Sequence, residues 1–428
     1  MAIELSSLTF TDQADVVPAS GVEEILNTGI TNTLAGDDTI NGESGNGIPD
    51  VGVPAPNGGI VNTGTLNTDS GNDRLTGIYN DPTNNSFTGY GIYNVEGIID
   101  TGEGNDILTG TGKDRGILGQ SGTLDTGNGN DTITGTGFFG IENNWDTFNT
   151  GDGSDIITGI GTEFGGILNY APINTGNGND TITGTTSSGS GITNSSNGSI
   201  DTGDGNDIIT ATGNYYILYN NGSINTGNGN DSIIAEENGN LPLYNSSNDG
   251  TINTGSGNDS IILNGGLYNS GVVLLGDGND SFALTPSKFF PSRALDNYNV
   301  IDTGDGNDTI TSTGVIYNEG GFSEGVINMG NGKDSIIAEG GFEGSGNVFL
   351  GNGKDYLKGF GSGNFDGGND KDALELTPGS YTVGISATGV NFTKGSIIMN
   401  TSGFEELIAG NTTYNFSSLT DGQTISVA

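Results

Sequence analysis

Eleven aspartates close the string Gly-x-Gly-x-Asp in this 428-residue chain. They stand as Gly102, Gly104 and Asp106; Gly127, Gly129 and Asp131; Gly151, Gly153 and Asp155; Gly176, Gly178 and Asp180; Gly203, Gly205 and Asp207; Gly227, Gly229 and Asp231; Gly255, Gly257 and Asp259; Gly276, Gly278 and Asp280; Gly304, Gly306 and Asp308; Gly330, Gly332 and Asp334; and Gly351, Gly353 and Asp355. Backbone without Cβ atoms can fold so that carbonyls converge, and the Asp adds a carboxylate. Such hard oxygens suit Ca²⁺, which takes about six to eight of them at about 2.3 to 2.6 Å. One turn is an incomplete site. A second turn stacked on it would supply the other side of the ion, so each interior Asp would serve two ions and the array would hold roughly ten. Looser copies at 69–73 and 368–372 add Asp73 and Asp372 as candidate ligands. Turn preference alone also favours Asp after Gly-Asn, but it tolerates Asn or Ser equally, and the strict copies keep Asp in phase.

The elements that must position these turns follow from the spacing. Ten intervals between motif aspartates cover 249 residues, a mean period of about 25. Two residues after each Asp stands an apolar side chain: Leu108, Ile133, Ile157, Ile182, Ile209, Ile233, Ile261, Phe282, Ile310, Ile336 or Leu357. Three residues before each first Gly stands another, from Ile99, Leu124 and Phe148 through to Ile327 and Val348. Between them recurs apolar-x-Asn, as in Ile92-Tyr93-Asn94, Ile167-Leu168-Asn169, Leu218-Tyr219-Asn220, Leu243-Tyr244-Asn245 and Leu267-Tyr268-Asn269. Each period therefore reads as three short strands with alternate side chains inward. The inward Asn residues would stack as an amide ladder. The expected fold is all-β: a right-handed parallel β-solenoid, a β-roll or β-helix of about 25 residues per coil with a calcium ladder along one edge. Roughly thirteen coils at about 4.8 Å would make a rod on the order of 60 Å long.

Departures from the period suggest an N-terminal cap and irregular first coils over 1–62, repeats over 63–372, and a C-terminal β cap over 373–428. Segments 44–62 and 285–299, rich in Gly and Pro or holding Lys288, Phe289, Phe290 and Arg293, read as loops leaving the solenoid.

Composition narrows the chemistry. Glycine contributes 80 residues, which suits stacked turns better than a compact core. A formal net charge of −42 argues against nucleic-acid binding and against adsorption on anionic membranes, and makes cations the natural counter-charge. The chain has no Cys and no His, which removes disulfides, thiolate metal sites and His-dependent triads. The expectation is a non-enzymatic protein. Met1-Ala2-Ile3-Glu4-Leu5 lacks the basic and apolar segments of a cleaved signal, and no stretch suits a bilayer-spanning helix, so no membrane insertion is expected.

Segments such as Thr126-Gly127-Asn128-Gly129-Asn130-Asp131-Thr132-Ile133-Thr134 resemble the nonapeptide of RTX, or hemolysin-type, calcium-binding repeat proteins. The resemblance spans about residues 66–376, with Thr mostly replacing the first Gly and a period longer than two nonapeptides. It implies Ca²⁺ between successive turns and an extracellular or cell-surface protein. It also implies export by type I secretion machinery with an uncleaved C-terminal signal in the 373–428 segment.

Tyr219, Tyr244 and Tyr268 are expected to face outward in one column, where stacked rings would contact a glycan or partner or simply pack across strands. Three classes remain: a calcium-folded structural or surface protein, a polysaccharide-active β-helix enzyme, and a glycan-binding or ice-binding adhesive module. Cell-surface polysaccharide or self-association are the partners these would imply. For ice binding, the slot between the motif glycines holds Asn, Asp, Glu or Ser instead of Thr, so no flat Thr array is expected there.

Overall fold

The computed structural model describes residues 2–18, 23–44, 58–80, 89–238, 246–288, 291–319 and 325–428. Strands dominate; the described helical segments are the 3-10 turns Leu5–Ser7 and Phe416–Ser418, and no described helix is long and apolar enough to cross a membrane. The chain is a parallel β-solenoid. It divides into two compact units, Met1–Gly227 with Glu236–Gly239, and Asn228–Ala235 with Asn240–Ala428.

In the first unit each strand pairs in parallel with its equivalent one coil on. Leu108 lies between Leu75 and Ile133, Ile157 between Ile133 and Ile182, and Ile182 beside Ile209. A second wall stacks Ile117, Ile141, Ile167 and Ile192, and a third stacks Leu66, Ile99 and Leu124. Parallel stacking begins well before residue 63: Ile3 pairs with Ile25, Val16 with Thr39 and Ile25 with Ile60. In the second unit Ile261, Phe282, Ile310, Ile336, Leu357, Leu374 and Leu407 form one file, and Ile252, Val273, Ile301, Ile327, Val348 and Phe365 another. All the apolar positions expected to face inward at these two offsets are buried. Side chains that alternate along a strand and repeat from coil to coil leave a thin, continuous core, which is how a chain with 80 glycines still excludes water.

The amide ladder also forms. Asn27 donates to Asn62, and Asn62 to Asn94, each at 2.7 Å; Asn143, Asn169, Asn194 and Asn220 continue it at 2.6, 2.8 and 2.7 Å. Gly119 replaces Asn in the intervening coil, and the buried Trp145 ring fills that space, where a Cβ on Gly119 would come within 2.0 Å of it. In the second unit Asn248, Asn269, Asn297 and Asn318 form the same chain of bonds.

Beyond Leu376 antiparallel pairs join the parallel ones. Gly379–Ser386 pairs with Gly389–Lys394 and with Thr424–Val427, and Glu406–Ala409 pairs with Thr412–Asn415. Two expected loops need correction. Gly58–Asn62 and Arg293–Asn297 are strands within the parallel sheets, because Ile60 and Leu295 fill core positions that the stacking demands. Residues 45–57 and Phe289–Phe290 lie outside the described residues.

Candidate metal edge

Every motif turn places its two glycines at positive φ, for example 78° and 145° at Gly127 and Gly129. The stacking is as restrictive as the dihedrals. A Cβ on Gly129 would lie 1.5 Å from the Gly104 carbonyl oxygen, and one on Gly127 would lie 1.8 Å from that of Gly102. Each second-glycine carbonyl thus aims at the second glycine of the next coil, and only glycine fits at either position.

The aspartates turn inward and connect the coils. The Asp106 amide donates to Asp131 Oδ1, Asp131 to Asp155, Asp155 to Asp180 and Asp180 to Asp207, all at 2.8 Å. Upstream, Asp15, Asp38 and Asp73 donate in turn to Asp38, Asp73 and Asp106 at 2.7 Å. In the second unit the same bonds run from Asp231 through Asp259, Asp280, Asp308, Asp334 and Asp355 to Asp372. The Asp372 amide then donates to Glu405 Oε2 at 2.8 Å, which ends the ladder. Asp38, in the weaker copy Ala35-Gly36-Asp37-Asp38 and not among the candidate ligands, joins the same ladder. The sequence reading missed Glu405, which the fold of the cap brings in from 33 residues away.

These bonds use one carboxylate oxygen only. The second, Oδ2, of Asp106, Asp131, Asp155 and Asp180, and of Asp259, Asp280, Asp308, Asp334, Asp355 and Asp372, is buried without a hydrogen-bond partner. Burial pushes the Asp106, Asp131, Asp280, Asp334 and Asp372 carboxyls up to about 7, and those of Asp155, Asp180, Asp207 and Asp355 to about 6. Backbone hydrogen bonds from the preceding Asp oppose the rise in each case, and neighbouring carboxylates add to it in most. At the first position of the motif, the Thr101, Thr126 and Thr175 hydroxyls donate to the carbonyls of Thr126, Thr150 and Thr202 on the next coil, each at 3.4 Å.

A row of buried, uncompensated anionic oxygens, in turns whose glycines stack closely from coil to coil, fits a row of cations. Among the described residues no three acidic side chains converge, so an ion here would draw on carbonyls as well as carboxylates. That all-oxygen donor set suits a hard ion such as Ca²⁺ and gives nothing to a soft metal.

No family model matches this chain, and no curated protein sequence matches it. Among solved structures it is similar to a hyperactive, Ca²⁺-dependent, β-helical antifreeze protein from an Antarctic bacterium, at 16% identity over 96% of each chain, with a TM-score of 0.33. At that score the likeness carries no argument about ligand or activity.

The aromatic positions part company. Tyr244 lies outside the described residues, and the strand that pairs with Leu267-Tyr268-Asn269 is Ser246-Ser247-Asn248, so Ser247 takes the place beside Tyr268. Tyr219 pairs with Thr193. The expected column of Tyr219, Tyr244 and Tyr268 is therefore not what the register builds. Tyr268 instead has its ring 5.2 Å from that of Tyr298. Arg293 is paired with Asp296 and Glu343 and lies over the Tyr317 ring.

Proposed function

We propose that this protein is a non-enzymatic, extracellular or cell-surface β-solenoid of the RTX kind whose aspartate-glycine edge binds a row of calcium ions, and that these ions drive its folding after export. The observation that carries this reading is the orphaned Oδ2 repeated along the glycine turns. Candidate ligands are the carboxylates from Asp73 to Asp372 together with carbonyls of the motif glycines. Leaving such carboxylates buried and uncompensated on a chain of charge −42 opposes stacking, and bound cations reverse that sign. Ions that contact only the stacked state contribute their binding energy to folding. Extracellular calcium modules bind at about 10⁻⁴ to 10⁻³ M, well above cytoplasmic calcium, so the chain would stay unfolded until exported. Type I export machinery would be its partner during that step.

The same ladder supports a structural role over catalysis, since each motif carboxylate is committed to its neighbouring coil. The test is elemental analysis of the chain desalted from a calcium buffer. Several calcium ions per chain are expected; a metal-free, folded chain would overturn the reading, and turnover of an acidic polysaccharide would overturn its non-enzymatic part.

A further inference from the structure

A second periodic array stands on the strand that follows each motif Asp in the first unit. Thr76, Thr109, Thr134, Thr158, Thr183 and Thr210 pair in register on six successive coils. On one side runs a file of Ile107, Thr132, Ile156, Thr181 and Ile208; on the other, Thr111, Thr136, Ile160, Thr185 and Thr212. No register shift interrupts these three files, and from Ile107 to Thr212 none of their residues is charged. Ile107, Ile156, Ile160 and Ile208 are 37, 44, 38 and 41% exposed, within these in-register files. Thr109, Thr134, Thr158, Thr183 and Thr210 are half-buried.

We propose that this face binds ice. Rungs about 4.8 Å apart and outward residues about 6.8 Å apart along a strand give a two-dimensional grid of hydroxyls and methyls. β-branched side chains hold that grid stiffly. Such a grid can order a water layer with repeats close to those of an ice face, and many weak water-mediated bonds then add over the array. Exposed apolar surface of this regularity marks a contact face. Its neutrality on a chain of charge −42 fits an uncharged crystalline partner, whereas a second copy of the chain would bring the same charge to the contact.

The test is thermal hysteresis and ice-crystal shaping by the full chain in calcium buffer, with circular dichroism confirming the fold of every variant. Wild type should show hysteresis, Thr158→Tyr should lose most of it, and Ser199→Tyr, on another wall, should retain it. Thr183→Lys is the second variant should Thr158→Tyr fail to fold. Folded wild-type protein without hysteresis or shaping would overturn the proposal without touching the calcium reading, as would equal losses in Thr158→Tyr and Ser199→Tyr. A dimer in sedimentation velocity that Thr158→Tyr dissolves would assign the face to a second copy instead.

Discussion

The Asp106 amide donates to Asp131 Oδ1 on the next coil at 2.8 Å, while Asp131 Oδ2 remains buried and unbonded. One carboxylate oxygen thus joins coils and the other needs a cation or a proton. This division of labour lets the two functions be separated by substitution.

Asp180→Asn keeps an acceptor for the Asp155 amide and removes the buried charge. In chelator the variant should be more stable than wild type, and in calcium it should need more of the ion to fold. Residual strand content in chelator and the calcium midpoint of folding, both by circular dichroism, read the two effects, and a change of the same sign in both would count against the assignment of Oδ2 to metal. The expected size is about 1 to 3 kcal/mol, the cost of one unsatisfied buried polar group.

Gly129→Ala should cost about 3 kcal/mol or more, since its Cβ would collide with the Gly104 carbonyl and its φ of 145° disfavours any side chain. Gly395→Ala is the contrast: its φ is 63°, but nothing lies within 4 Å of the added Cβ. It should cost about 1 kcal/mol. Thermal melts in calcium should rank the two in that order, and similar losses would mean that coil spacing tolerates side chains at the edge.

The raised carboxyls give a pH dependence whose sign depends on calcium. In the metal-free fold, Asp106 and Asp131 titrate near 7, above their ordinary value of 3.8, so the folded state binds protons that the unfolded chain releases. Metal-free stability should therefore rise as pH falls from about 7 towards about 4, and be lost as pH rises through the folded values. With calcium present the trend reverses, because protons compete with the ions and more calcium is needed at lower pH. Strand content by circular dichroism near pH 7.5 and pH 5.5 checks both signs: in chelator it should be higher at pH 5.5, and the calcium needed for folding should also be higher at pH 5.5.

Much of this architecture was legible because a solenoid repeats its constraints. The inward files at Ile133, Ile157 and Ile182 and the Asn ladder through Asn169 and Asn194 each recur at fixed offsets from the motif. What local pattern missed was set by neighbouring coils. Leu243-Tyr244-Asn245 fits apolar-x-Asn better than Ser246-Ser247-Asn248, yet it is Asn248 that reaches Asn269 Oδ1 and the Val272 carbonyl, at 2.8 and 3.0 Å. The Thr face went unseen for a different reason. Thr was sought between the motif glycines, whereas the file lies three residues after Asp73, Asp106, Asp131, Asp155, Asp180 and Asp207. Glu405 had no sequence signal, since only the folded cap brings it to Asp372.

The central claim is that calcium at the aspartate edge makes the fold. Far-ultraviolet circular dichroism of the full chain near pH 8, where the carboxyls are ionised, tests it most directly, in millimolar calcium and again in excess chelator. A strand-rich spectrum in calcium that collapses in chelator and returns on re-addition is the predicted result. A strand-rich spectrum that chelator leaves unchanged would contradict the account, even with calcium found bound.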